Sequence, residues 1–151
     1  MALVIVGGGL AGASAAEELR EQGYDGDVVL LGAEQYLPYE RPPLSKEVLL
    51  GDKEVGETDV HDAQWYADRQ VEVRTGTAAR RIDRNRRVVE TDAGDVAYER
   101  VLLATGSEPR RLPVDGARYL RTRDDSRLLR AALQERPRLL VVGAGWIGLE
   151  V

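Results

Sequence analysis

The 151-residue sequence predicts an α/β chain built on a parallel sheet with a small antiparallel insertion. Three observations predict it. Short runs of continuous apolar residues at 3–6, 28–31 and 101–104 have the composition of parallel strands covered on both faces. The first run passes directly into Gly7-Gly8-Gly9-Leu10-Ala11-Gly12 and then into a stretch rich in Ala, Glu, Leu and Arg, which reads as strand, glycine turn and helix. The pairing of apolar run and glycine turn returns 136 positions later, with residues 139–142 leading into Gly143-Ala144-Gly145-Trp146-Ile147-Gly148.

The remaining elements follow in order. The first helix is expected over residues 13–22, with Gly23 placed to end it, and the strand at 28–31 completes a βαβ unit of about 30 residues. Prolines at 38, 42 and 43 make residues 36–46 extended or turning, before a short helix over 44–50 closed by Gly51. Another short helix is expected over 62–70, with strands over 71–73, 80–83 and 88–91. Asp92-Ala93-Gly94-Asp95 offers turn chemistry for a hairpin into a strand at 96–98. The run at 101–104 ends in Thr105-Gly106, and residues 107–116, with Pro109 and Pro113, read as a linker. A helix over 124–136 stopped by Pro137 precedes a strand at 139–142. This organisation predicts one domain over residues 1–110, incomplete, and the start of a second, truncated, over 111–151.

Composition narrows the function. The chain is 43% hydrophobic and 31% charged with a net charge of −5, which suits a globular protein and gives no electrostatic footprint for nucleic acid. It contains no cysteine, so these residues hold no disulfide, thiolate metal site or redox-active Cys pair, and electron chemistry must belong to a bound group. The start, Met1-Ala2-Leu3-Val4-Ile5-Val6, lacks a basic leader region, and no apolar stretch approaches the roughly 20 residues of a membrane span. A cytoplasmic protein with no membrane partner is therefore expected. His61 is the only histidine, so neither a triad nor a metal site is expected, and it reads as a surface residue ahead of a helix.

The glycine turn carries the chemistry. Gly7-Gly8-Gly9-Leu10-Ala11-Gly12 is a G-x-G-x-x-G string between a buried strand and a helix, and Glu34 follows 22 positions after its last glycine. In a Rossmann-like unit Gly7 makes the tight turn, Gly9 lets the backbone approach a pyrophosphate and Gly12 lets helix pack on strand. The helix N-terminus offers N–H donors to the phosphates, and Glu34 accepts hydrogen bonds from ribose hydroxyls. The alternative is a glycine turn with no ligand. Two such turns in one chain suggest two dinucleotides, and electron transfer between them is the economical reason to hold both.

Four strings in sequence order carry a family resemblance: Gly7-Gly8-Gly9-Leu10-Ala11-Gly12, Pro38-Tyr39-Glu40-Arg41-Pro42-Pro43-Leu44-Ser45-Lys46, Leu103-Ala104-Thr105-Gly106-Ser107-Glu108-Pro109-Arg110 and Val141-Val142-Gly143-Ala144-Gly145-Trp146-Ile147-Gly148-Leu149-Glu150. Over essentially its whole length the chain resembles the N-terminal portion of the ferredoxin reductase family, which includes putidaredoxin and rubredoxin reductases and is related to apoptosis-inducing factor. The resemblance implies a Rossmann-like FAD-binding domain followed by the opening of a Rossmann-like NAD(P)-binding domain. It implies that Gly7, Gly9, Leu10, Ala11 and Gly12 hold the FAD pyrophosphate, Glu34 the adenosine ribose and Arg41 the phosphate side. By the same resemblance Ala79 meets the adenine end, the Ala104-Thr105-Gly106 turn and Arg121 touch FAD, and Lys46 lies against the flavin ring. Gly143, Gly145 and Gly148 then cradle NAD(P)H, and Glu150 faces the nicotinamide. Ala33 stands where relatives often carry an acidic residue, so ribose binding rests on Glu34.

The composition bears on Lys46 independently, because the chain uses 19 arginines and two lysines. Two readings of it stand: an ammonium that tunes the flavin, or a solvated lysine on a helix. Arg41 likewise reads either as a ligand or as a surface arginine. For the function, the expectation is an FAD-dependent NAD(P)H oxidoreductase that passes electrons to a ferredoxin- or rubredoxin-type iron–sulfur protein. The alternatives are a signalling flavoprotein resembling apoptosis-inducing factor and an inactive fragment that only partly binds FAD. On the last view weak FAD retention, an exposed sheet edge and association of chains through residues 139–151 are expected.

Overall fold

A computed structural model of the chain describes residues 2–135 and 137–151. The described residues form two compact units, one running up to Tyr39 and resuming over Asp59–Gly106, the other made of Glu40–Thr58 and Ser107–Val151.

The first unit is built on one six-stranded sheet: β1 (Ala2–Val6), β2 (Val28–Leu31), β3 (Val71–Arg74), β4 (Ala79–Asp83), β5 (Val88–Thr91) and β6 (Gly94–Leu103), in the order β3-β2-β1-β6-β5-β4. β1 pairs in parallel with β2 and β6, and β2 with β3, whereas β4, β5 and β6 form an antiparallel meander. The two strands expected at 96–98 and 101–104 are thus one. Tyr98 lies opposite Ala2 and Arg100 opposite Leu3, which leaves Glu99 as an extra residue on β6. Such a bulge bends a strand, and it marks where β6 passes from its antiparallel partner to its parallel one. The polar pair Glu99-Arg100 is exposed, so it interrupted the hydrophobic pattern without ending the strand.

Both faces of the parallel strands are covered, as their continuous apolar runs require. Val4, Val6, Val29 and Leu31 pack on one face with Val89, Val96 and Tyr98 of the meander. Ile5, Val28, Leu30 and Val71 pack on the other with Ala16 and Tyr66. Ala16 belongs to helix α1 (Leu10–Glu21), which begins three residues earlier than its composition suggested because the glycine turn itself forms its first turn. Tyr66 belongs to α2 (Ala63–Asp68), started by the Asp62 carboxylate, which accepts from the Trp65 N–H at 2.7 Å. His61 stacks on Trp65 with ring centroids 3.7 Å apart, and its Nε2 lies 3.3 Å from the Glu17 carboxylate, so it packs against α2 instead of lying free on the surface.

The Tyr66 hydroxyl is buried without a hydrogen-bond partner among the described residues. Burial first, then the carboxylates of Asp59 and Glu17, push its pKa well above the usual phenol value. A raised pKa in the folded state means that the native protein holds this proton more tightly than the unfolded chain. Its contribution is therefore complete below about pH 10 and is lost as pH rises beyond the unfolded value. Tyr66→Phe removes an unsatisfied polar atom and keeps the ring. Denaturant unfolding is expected to find the variant as stable as the parent or up to about 1 kcal/mol more stable at neutral pH, with a shallower loss above pH ~10. A clear destabilisation at neutral pH would show that the hydroxyl is satisfied in solution.

The second unit is helical. A 3-10 turn (Pro42–Ser45) leads into α3 (Glu47–Leu50), which Gly51 ends in the left-handed region at φ 93°. A further 3-10 turn spans Val55–Thr58, and α4 (Arg123–Gln134) follows a capping box in which Thr122 and Asp125 each accept from the other's backbone N–H. The helix expected over 124–136 thus starts one residue early, and Arg136 lies outside the described residues. Ser126 of α4 is fully buried and donates to the Leu44 carbonyl at 2.8 Å, while the buried Arg123 guanidinium holds the Thr58 hydroxyl at 2.6 and 3.1 Å. The last helix, α5, spans Trp146–Glu150. Residues 139–142 form no strand, in contrast to the expectation, and Leu139, Leu140, Val141 and Val142 are exposed. A strand exists through its neighbours' ladder, and the described residues of this unit offer none.

Candidate dinucleotide-binding site

In the first unit the residues singled out by sequence meet at the C-terminal ends of the parallel strands, where open α/β sheets bind ligands. Gly7 has φ +131°, and its N–H donates to the Leu31 carbonyl at 2.9 Å. A side chain there would run into the carbonyl of Ala104, and one at Gly12 into the carbonyl of Gly7. Those two glycines are therefore required by the packing of β1 against β6 and of α1 against the turn. Gly9 differs: an added methyl group meets no atom within 4 Å. The fold does not demand a glycine at that position, and the space beside it is open to a group approaching from outside. Gly9 is also the N-cap of the 12-residue α1 and supplies no side-chain cap, so the N–H groups of the first turn, beginning with Leu10 and Ala11, are left to an external acceptor. Leu10 and Ala11 are exposed there.

Around this cradle the chain places the other predicted residues of the unit. Glu34 follows β2, and its carboxylate accepts from the Tyr39 hydroxyl at 2.6 Å. Tyr39 is itself buried and its backbone bridges to Gly9, which ties the acid to the glycine turn. The N–H of Gly76 donates to the Glu34 carbonyl and that of Thr77 to the Gly32 carbonyl, both at 2.7 Å, bringing Ala79 at the start of β4 to the same end of the sheet. Ala104 donates to the Val6 carbonyl at 2.8 Å, and Thr105 and Gly106 are exposed beyond it. Sequence alone assigns Tyr39 no role. Its place five residues after the acid carries no pattern that marks it, and its role comes from the hydrogen bond to Glu34.

The second unit gathers the others. Arg41 Nη1 donates to the Arg121 carbonyl at 2.6 Å, which joins two residues 80 positions apart. Lys46 Nζ lies 3.6 Å from Glu150 Oε1, and the Ser45 hydroxyl donates to Glu150 Oε2 at 2.5 Å. The second glycine turn repeats the geometry of the first. Gly143 has φ +116°, a Cβ on Gly148 would crowd the Gly143 carbonyl and the Val141 side chain, and Gly145 has nothing within 4 Å and is the N-cap of α5. In the first turn Gly12 stands in the same relation to Gly7 and Ile5. The turn thus keeps its form although residues 139–142 are unpaired.

Each glycine turn is a backbone cradle with an open middle position and a bare helix N-terminus, and the first adds an acid held by a tyrosine. This is the donor set for a pyrophosphate and a ribose. The chain belongs to the pyridine nucleotide-disulphide oxidoreductase family, which it matches over residues 1–151. It is 41% identical, over its full length, to rhodocoxin reductase of Rhodococcus erythropolis and covers 37% of that protein. It is 44% identical to the ferredoxin–NAD(+) reductase component of the anthranilate 1,2-dioxygenase system of Burkholderia cepacia, over 98% of the chain and 38% of that protein. Among solved structures, the reductase–putidaredoxin covalent complex aligns with a TM-score of 0.93 at 38% identity, covering 99% of the chain and 38% of the matched chain. The chain thus spans about two fifths of the length of such relatives.

Proposed function

We propose that this chain supplies the FAD-binding domain (residues 1–110) and the opening of the NAD(P)-binding domain (111–151) of a cytoplasmic FAD-dependent NAD(P)H oxidoreductase. Its electrons pass to a ferredoxin- or rubredoxin-type iron–sulfur protein. The observation that carries the reading is the repeat: two glycine turns of the same geometry in one chain, each open at its middle glycine. The relatives named as ferredoxin and rhodocoxin reductases support the acceptor class, and the pairing of a reductase with putidaredoxin in a matched structure supports it further.

When bound, FAD supplies the two-electron to one-electron conversion between NAD(P)H and an iron–sulfur acceptor. The chain's own residues do the rest. First-turn N–H groups of α1, from Leu10, Ala11 and Gly12, donate to the pyrophosphate while Gly7 and Gly9 leave it room. Glu34, oriented by Tyr39, accepts from the adenosine ribose, and Ala79 borders the adenine. Arg41 serves the phosphates, and Ala104, Thr105, Gly106 and Arg121 border the cofactor. Lys46 places a positive charge by the flavin ring. Gly143, Gly145 and Gly148 receive the NAD(P)H pyrophosphate, and Glu150 faces the nicotinamide. No side chain is asked for acid or base chemistry.

The test is turnover. Full-length protein loaded with FAD is mixed with NADH or NADPH and a rubredoxin or [2Fe–2S] ferredoxin, and reduction of the acceptor is followed optically. Rapid reduction supports the reading. Binding of NADH without transfer to either acceptor would instead favour a flavoprotein whose redox state controls association.

A further inference from the structure

Ser45 belongs to the Arg-Pro-Pro-Leu-Ser-Lys string, and its hydroxyl has no part in the proposed function. The side chain is 5% exposed at the end of the 3-10 turn. Its Oγ faces two acceptors, Glu150 Oε2 at 2.5 Å and the Pro42 carbonyl at 3.4 Å. A hydroxyl has one proton to donate, and a carboxylate only accepts. The shorter contact therefore takes the proton, and the longer one lies at the limit of a hydrogen bond. The adjacent Lys46 reaches the other carboxylate oxygen, at 3.6 Å, from a side chain that is 47% exposed. An ion pair that long and that exposed fixes little by itself. The buried hydroxyl is the shorter and better-shielded of the two contacts, and together they hold both oxygens of one carboxylate from consecutive residues.

We propose that Ser45 is a positioning residue: its hydroxyl fixes the plane of the Glu150 carboxylate, so that Glu150 presents a set orientation to the nicotinamide while Lys46 remains available to the flavin side. The inference rests on the functional reading given above for Glu150 and Lys46. It assigns to Ser45 no contact with either cofactor. Without the hydroxyl, Glu150 keeps, among the described residues, only the long side-chain contact to Lys46 and turns about its terminal bond, and misorientation of a group that aligns a reacting ring slows the step that ring takes part in.

The test is anaerobic rapid mixing of the full-length, FAD-loaded protein with NADH, following flavin bleaching. Ser45→Ala is expected to slow bleaching about tenfold while FAD content, reduction by dithionite and reoxidation by the iron–sulfur acceptor stay at parental values. Ser45→Thr, which keeps the hydroxyl, is expected to recover most of the rate. In a Glu150→Ala background, removing the Ser45 hydroxyl is expected to have no further effect, because its target is gone. Parental bleaching by Ser45→Ala, loss of FAD from it, or a full tenfold loss added to that of Glu150→Ala would each overturn the assignment. If the parent itself does not bleach, the functional reading fails first and takes this inference with it.

Discussion

Gly7→Ala is expected to destabilise the first unit by about 3 kcal/mol or more and to leave no flavin bound. The residue sits at φ +131°, where an L side chain is strained, and its added methyl would occupy the space of the Ala104 carbonyl. That carbonyl belongs to the residue that continues β6 alongside β1, so relief would require the two central strands to part. Gly9→Ala, two residues on, makes the informative contrast. No atom lies within 4 Å of its added methyl, and the remaining cost is that of alanine in place of glycine at an N-cap, below about 1 kcal/mol. Thermal unfolding without flavin is therefore expected to separate the two variants widely, whereas FAD titration is expected to find both impaired, Gly9→Ala by about tenfold or more. Unchanged FAD affinity in Gly9→Ala would mean that no phosphate approaches the turn.

Arg20→Ala is expected to cost about 2–3 kcal/mol, several times the effect of a typical surface arginine. Its guanidinium donates to four backbone carbonyls: Tyr24 at 2.5 Å, Arg69 at 2.8 Å, and Gly26 and Gln70 at 2.9 Å. One side chain thus fastens the end of α1, the loop into β2 and the turn between α2 and β3. Gln70 in that turn has φ 53°, a conformation that needs outside support in a residue other than glycine. Arg20→Lys keeps the charge but not the planar fork, so it is expected to recover less than half of the loss. Urea unfolding of the three proteins checks this, and a loss below about 0.5 kcal/mol for Arg20→Ala would show that water replaces the guanidinium without penalty.

The parts of this fold that were legible in the sequence are those governed by local physics. The buried strands announced themselves as apolar runs because both of their faces are covered, and the glycine turn did so because its spacing is a local string in which Gly12 answers to the carbonyl of Gly7, although the carbonyl that Gly7 itself must clear is that of the distant Ala104. The join at Glu99 was not legible: a bulge is set by pairing with β1, which lies some 95 positions away. The strand expected at 139–142 shows the converse, since a correct local pattern forms no strand without neighbours to pair with. In the candidate site the glycines and Glu34 could be named from spacing, whereas Tyr39 and Ser45 could not. Their importance comes from hydrogen bonds to Glu34 and Glu150, and in the second case the partner is 105 residues distant. Hydroxyl-bearing side chains are too common for composition to flag them.

The most direct test of the central claim, that the repeated glycine turns hold two dinucleotides that exchange electrons, is the visible absorbance spectrum of the purified full-length protein before and after anaerobic NADH. A flavin spectrum whose main visible band bleaches when NADH is added is expected. A colourless protein that takes up no added FAD would mean that the turn from Gly7 to Gly12 serves only the packing of its own strands and helix, and would contradict the account.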